Sequence, residues 1–298
     1  MAEIDLSIIV ISFNTSKITK TCLDTIFTSL KSAAFNWEVV VVDNASTDGS
    51  DKMLQAYQKE HGDQVQLMLN SRNLGFGRAN NQGVTNSRGD YIFLLNSDTE
   101  ILDNAITKMF DFYRSHEDTV KFMGCKLLNS DRSPQPSAAP FFTLPVVFGF
   151  LFLKGDKIGL TRQSPDTFKK VGWVSGACIF TKKTYFQELG GFDEEIFMYM
   201  EEVDLLYRAS QKGYDTYFYP DAQIVHLGSA SSNKTYPILQ AYRGFIYFYK
   251  KHYNSLALFI LLGMLKLKAL IALAIGTALK RPYLIETYAE AYKVARVD

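Results

Sequence analysis

Four short apolar runs punctuate the first hundred residues: "SIIVISF" (7–13), "EVVVVD" (38–43), "VQLML" (65–69) and "YIFLL" (91–95). They are rich in β-branched residues and show no polar alternation, which is the pattern of strands buried on both faces. Between them lie stretches of helical character, roughly 17–31, 49–60 and 76–87. Alternating β and α segments predict an α/β layer fold with helices flanking a central, mostly parallel sheet. With 47% hydrophobic residues in 298, composition supplies a sizeable core.

Each run ends on polar residues, at Asn14, Asp43-Asn44, Asn70 and Asn96-Ser97-Asp98. Open α/β sheets bind ligands beyond the carboxyl ends of their strands. Helix caps and turns also favour Asn and Asp, but four ends with the same placement favour a site. The net charge of +1 gives no reason to expect nucleic acid. Cys22, Cys125 and Cys178 form no CxxC and read as buried thiols in a reducing compartment. The start "MAEIDLSIIVISFN" lacks a basic n-region, so the catalytic part is expected in the cytoplasm.

After residue 130 the rhythm breaks. "DRSPQPSAAPFFTLPVVFGFLFLKGDKIGL" (131–160) reads as a functional loop or helical insertion on the acceptor side. "GWVSGACIF" (172–180) reads as a strand, "TKKTYFQELGG" as a short helix stopped by two glycines, and "EEVDLLYRASQKG" (201–213) as a helix. "YDTYFYP" and "AQIVHLG" read as two further short strands. The glycines of "GFGRANNQG" follow the third strand rather than the first, which excludes a dinucleotide fingerprint.

Several residues could carry chemistry. A divalent cation takes one or two carboxylates together with phosphate oxygens, and Asp98 with Asn96 offers such a start. His226, at the end of an apolar run, can complete that shell or bond a phosphate. Glu201 and Glu202 fall at a helix N-terminus, where the macrodipole favours the ionised form and suits a general base; ordinary first-turn capping would use the same residues. Asp43 can accept from the N3–H of uracil or thymine, while Asp48 reads as a cap. Asn73, Arg78 and Asn80 offer donors to phosphate or ribose.

The ordered series "SIIVISFN", "VVVDNASTDGS", "NLGFGRANNQG", "LLNSDTE", "WVSGACIF", "GGFDEEIFMYMEEVDL" and "IVHLGS" resembles the family-2 inverting glycosyltransferases, most closely their bacterial rhamnosyltransferase-like branch. The likeness covers about residues 6–230. It implies a GT-A fold, Rossmann-like with flanking helices, and a nucleotide-diphosphate sugar donor with Mn2+ or Mg2+. Carried over by position, it implies that Ser12, Asn14 and Asp43 contact the donor and that Asp43 reads its base. Asn96 and Asp98 match a shortened metal motif, and His226 matches a late metal- or diphosphate-contacting histidine. Trp173, Ser175 and Gly176 match the lining of the sugar pocket. Glu202 stands where the family usually has the Asp of an "ED" pair, so Glu202 and Glu201 both remain candidates for the base. The QxxRW signature of processive synthases is missing, which implies one sugar per binding event.

The C-terminal part has another character. No Asp or Glu occurs between Ala222 and Ile285, and residues 255–279 are almost wholly apolar. A bilayer needs about 20 residues. Lys266 and Lys268 lie mid-stretch, about 200° apart on a helix, and each would cost about 2.5–3.5 kcal/mol at a bilayer centre. The expectation is two short interfacial helices, "LALFILLGML" and "ALIALAIGTAL", on the cytoplasmic face of an anionic membrane. A true span, or a helical pair that packs on the protein or dimerises into a homo-oligomer, are the other arrangements. Residues 1–235 then form the catalytic domain and 236–298 the C-terminal segment. A lipid-linked glycan is the expected acceptor. Competing functions are a sugar nucleotidyltransferase, disfavoured because "SFNTSKITK" lacks a glycine loop, and a membrane-tethered sugar-nucleotide or glycan-binding protein without turnover.

Overall fold

The computed structural model describes residues 3–228 and 235–296. Ser229 of the "IVHLGS" motif and Lys234 of the basic segment lie outside the described residues. The chain divides into two compact units.

The first unit is an α/β layer structure. Its opening elements are β1 (Leu6–Ser12), α1 (Ser16–Ser29), β2 (Trp37–Asp43), α2 (Ser50–His61), β3 (Val65–Leu69), α3 (Phe76–Asn86) and β4 (Tyr91–Asn96). They fall where the apolar runs and helical stretches place them. β3, β2, β1 and β4 lie side by side, all parallel. The central strands are buried on both faces, from Ile8, Ile9 and Val10 on β1 to Val39–Val42 on β2. Each such side chain contributes roughly 1.5–3 kcal/mol by leaving water. β3, at the edge, is only partly buried. α3 lies so close on the sheet that a Cβ on Gly83 would meet Ile9 Cγ2 at 2.5 Å.

Beyond β4 the parallel order ends. The later elements are β5 (Thr99–Ile101), α4 (Ala105–Ser115), β6 (Phe122–Leu128), β7 (Pro134–Gln135), β8 (Ala138–Ala139), β9 (Lys169–Val171), β10 (Trp173–Val174) and β11 (Cys178–Lys182). They continue with α5 (Lys183–Glu188), α6 (Glu201–Gln211) and β12 (Thr216–His226). β11 inserts antiparallel between β4 and β6, β12 runs parallel to β6, and β5 closes the edge antiparallel to β12. The sheet is therefore mixed, with the expected parallel strands forming its β3-β2-β1-β4 half.

Two strand readings are corrected here. Residues 172–180 are not one strand. Trp173–Val174 pairs with Ala138–Ala139 in a small second sheet, a turn closed by Cys178 N donating to Ser175 O follows, and only then does β11 join β4. Conversely, "YDTYFYP" and "AQIVHLG" form one strand, β12, with a register shift between Tyr219 and Gln223. Pro220 lies in that shift, where a residue without an N–H breaks the ladder but not the strand. The three cysteines are buried thiols, and burial drives the Cys22 thiol up to about 12.

The second unit contains α7 (Leu144–Phe152), α8 (Thr235–His252), α9 (Ser255–Ala278) and α10 (Pro282–Val294). The two short helices expected at 256–279 are one continuous helix. Asn254 starts it by accepting from Ala257 N at 2.9 Å, and Gly263 inside it weakens the helix without ending it. α9 packs on α7, α8 and α10. Tyr249 of α8 donates to the Phe142 carbonyl, which ties that helix to the segment ahead of α7.

Candidate active site

The strand order β3-β2-β1-β4 makes β1 the point from which the sheet grows in both directions. A crevice opens at such a switch point, beyond the carboxyl ends of the strands. Register places Asp43 of β2 opposite Ser12, and Asn96 of β4 opposite Ile11. The acidic and amide strand ends therefore lie along one edge.

Asp43 is buried. Its Oδ2 accepts from Ser46 N at 2.9 Å, while Oδ1 is buried with no hydrogen-bond partner. A buried acceptor left this way costs about 1–3 kcal/mol, and a ligand N–H would recover it. Around it, polar residues hold the loops. Asn14, at φ 54°, accepts through Oδ1 from Thr47 N at 2.7 Å. Asp48 accepts from Ser16 N and Ser50 N, so it serves the starts of α1 and α2, in line with its reading as a cap. Ser12 is buried beside Thr19.

Asn73 and Arg78 are engaged by their own chain. Asn73 Oδ1 accepts from Asn44 Nδ2 and Gly75 N, and Arg78 Nε donates to Glu194 O beside the Glu194 and Glu195 carboxylates. Asn80 is buried, donates to Phe76 O, and keeps an Oδ1 with no partner. Asn44, read from the sequence only as part of a polar strand end, uses both ends of its amide to fix residues 70–75. Gly75, at φ 86°, is required there, since a Cβ would meet Phe197 O at 2.7 Å.

The second cluster forms where β4 turns into β5. Thr99 of β5 pairs with His226 of β12, and Leu227 N donates to Asp98 O. Asp98 Oδ1 consequently lies 3.3 Å from His226 Nε2, and Asn96 Nδ2 lies 3.4 Å from the same nitrogen. On the far side of the ring, His226 Nδ1 meets Gln135 Oε1 at 2.7 Å. Gln135 Nε2 donates to His226 O and Asn129 Oδ1, which fixes the amide with its oxygen toward the ring. Nδ1 is then the N–H donor to Gln135, and Nε2 is the ring nitrogen that faces Asp98 and Asn96.

These groups fit a hard divalent ion. Asn96 Oδ1 is buried with no partner, the Asp98 carboxylate is beside it, and cis donors around an octahedral ion sit about 3 Å apart. Among the described residues no group of three or more His, Cys, Asp or Glu could hold a metal by itself. A bound ion would need further oxygens from water or from a phosphate-bearing ligand.

The third element is the start of α6. Tyr199 and Met200 precede it at φ 67° and 77°, an uncommon backbone for side-chain-bearing residues. Glu201 is buried and its Oε2 has no partner. Burial, then the adjacent Glu202 charge, hold the Glu201 carboxyl well above its ordinary range. Desolvation outweighs the helix dipole at this residue. Glu202 is half-buried and lies by Gly176, where a Cβ would be 3.6 Å from Glu202 Cβ and 3.7 Å from Phe76 Cε1. Trp173 is fully buried on β10. Asp204 points away, into an ion pair with Arg208 at 2.8 Å.

A family model described as glycosyl transferase family 2 matches residues 7–190. The chain belongs to this family. Among related proteins, it is 28% identical over 215 residues to the N-acetylglucosaminyl-diphospho-decaprenol L-rhamnosyltransferase of Mycobacterium tuberculosis H37Rv, covering 66% of this chain and 68% of that one. In fold it is similar to a mannosyltransferase from Pyrobaculum calidifontis in complex with GDP-Man and Mn2+, at TM-score 0.59 and 18% identity, over 99% of this chain and 86% of the other. It is also similar to GalNAc-T7 with UDP, GalNAc and Mn2+, at TM-score 0.58 and 16% identity, over 83% of this chain. The chain spans 50% of that longer structure. The family-2 glycosyltransferase chain thus has the GT-A fold that the motif series implied.

Proposed function

We propose that this family-2 glycosyltransferase moves one sugar, with inversion, from a UDP- or dTDP-linked donor to a lipid-linked glycan at the cytoplasmic face of a membrane. The observation that carries the reading is the juxtaposition of Asp98, Asn96 and Nε2 of His226 on the same sheet edge as the partnerless Asp43 Oδ1. Asp43 and Asn96 end strands on either side of β1, so two strand spacings, about 10 Å, separate them. A pyrimidine nucleoside and its phosphates can bridge that span, with the base N3–H on Asp43.

Asp98, His226 and Asn96 would hold Mn2+ or Mg2+, which supplies neutralising charge to a departing diphosphate. Glu202 accepts the proton of the acceptor hydroxyl as its oxygen attacks the anomeric carbon from the face opposite the leaving group. A positioned base contributes about 10²–10⁴-fold. Burial and the neighbouring Glu202 raise the Glu201 carboxyl, which makes Glu202 the better placed of the two to act as base. Gly176 leaves room beside Glu202 for the reacting sugar. The lipid-linked acceptor is supported by the mycobacterial relative, whose name carries a decaprenol diphosphate, and by the apolar α9.

The experiment is nucleoside diphosphate release from a panel of donors with Mn2+ present. Release from UDP- or dTDP-sugars that rises with a polyprenyl-diphosphate glycan is expected. Donor binding without turnover under every acceptor would favour the binding-protein reading instead.

A further inference from the structure

α9 is 24 residues long, about 36 Å, and carries no acid. One side of it is covered by its own unit. Leu261, Leu265, Ala269, Ala272 and Gly276 are buried, Tyr242 of α8 donates to Leu265 O, and a Cβ on Gly276 would meet Leu284 of α10 at 3.0 Å. The opposite side is bare and apolar. Leu256, Gly263, Leu267 and Ala274 fall within about 40° of one line at 100° per residue. Phe259, Ile260, Leu270 and Ile271 flank them, with Phe259 74% exposed and Leu256 68%.

Neither lysine lies on that ridge. Measured from the buried Leu265, Lys268 falls about 60° to one side, near the packed face, and Lys266 about 100° to the other, at the edge of the bare face and about 80° from the ridge line. Both are half-buried. Burial, then Lys154, hold the Lys268 ammonium below its ordinary value, as expected for a stem laid along the protein. The charges that made a bilayer span costly are therefore arranged beside an uninterrupted apolar strip.

We propose that α9 is an in-plane membrane helix: its uncharged ridge sinks into one leaflet of an anionic bilayer while its other face stays on α8 and α10. A spanning helix would bring its packed neighbours into the hydrocarbon, and these carry Arg243, Lys250 and Lys251 on α8 and Glu286, Glu290 and Lys293 on α10. Charge selects the lipid. The acids of this unit among the described residues are Asp156, Glu286 and Glu290, against Lys154, Lys157, Lys250, Lys251, Lys266, Lys268, Lys280 and Arg281, with others besides. Basic residues near an anionic surface draw the unit toward it. An exposed apolar strip of this length marks an interaction surface, and basic flanks suit a lipid headgroup layer.

The inference rests on the membrane placement proposed above and adds the residues and the orientation. The test uses the full chain and vesicle flotation. Binding to phosphatidylglycerol vesicles should exceed binding to phosphatidylcholine by about tenfold or more. Phe259→Glu together with Leu267→Glu should lower it by a similar factor with an unchanged melting temperature. Spin labels placed singly by Leu256→Cys, Gly263→Cys, Leu267→Cys and Ala274→Cys, with the three native thiols buried, should all report one shallow depth.

A depth that runs steadily from Leu256 to Ala274 would establish a span and overturn the proposal. So would a dimer in solution that shields these labels and ignores vesicles. Nucleoside diphosphate release in detergent is scored alongside. Release without vesicle binding removes the ridge and leaves the transferase standing; vesicle binding without release does the reverse.

Discussion

At the residue scale the two adjacent glutamates differ in burial, and the proposed base is Glu202. Glu202→Gln should keep donor binding, followed by calorimetry, and lower turnover by about 10²–10⁴-fold. Glu201→Gln should leave turnover close to wild type, because the amide mimics the protonated acid. It should also change stability in a definite direction. A carboxyl raised in the folded state binds its proton more tightly there than in the unfolded chain. Its contribution is therefore complete below the ordinary value of 4.5 and is lost as pH rises toward the folded value. The variant should melt higher than wild type at pH 8, with the gap closing below about pH 4.5 in a series of thermal melts. At the proposed metal site, Asp98→Ala should abolish Mn2+-dependent donor binding. Gln135→Ala should weaken Mn2+ binding by about 10–100-fold, read by electron paramagnetic resonance of the free ion, since it frees the His226 ring to turn.

At the element scale, α6 is fixed by a clamp and not by the site. Arg208 pairs with the buried Asp204 and donates to the carbonyls of Leu189 and Gly191, which hold the turn after α5. Arg208→Ala should cost about 3–5 kcal/mol in denaturant unfolding, because it removes the guanidinium from a buried carboxylate. Gly75→Ala should impair donor binding more than its single methyl suggests. The added Cβ collides with Phe197 O, and the positive φ disfavours any side chain, so the residues that Asn44 and Asn73 position must shift.

At the scale of the whole molecule, binding of the donor should appear as stability. A nucleotide sugar at a hundred times its dissociation constant adds about 2.7 kcal/mol. UDP- or dTDP-sugars with Mn2+ should raise the melting temperature by several degrees, and removal of the metal with EDTA should cancel the gain. The same scale separates what was legible in the chain from what was not. The parallel half of the sheet could be read directly, because strands buried on both faces must be apolar runs and the helices between them must be periodic. The strand ends could be read too, since polar residues have few reasons to follow such runs. β11 could not: antiparallel insertion between β4 and β6 depends on partners 50 to 90 residues away, and "GWVSGACIF" is largely apolar whichever strand it joins. Gln135 carried no signal either, as it lies 91 residues from the histidine it orients. Local hydrophobic period and residue chemistry thus determined the α/β plan and offered Asp43, Asp98, the Glu201-Glu202 pair and His226 as candidates, with the motif resemblance favouring Glu202 within that pair. Tertiary register decided that Asp98 meets His226, that Glu201 is more deeply buried than Glu202, and which side of α9 is left bare, because each of these is set by long-range pairing and packing that no local window contains.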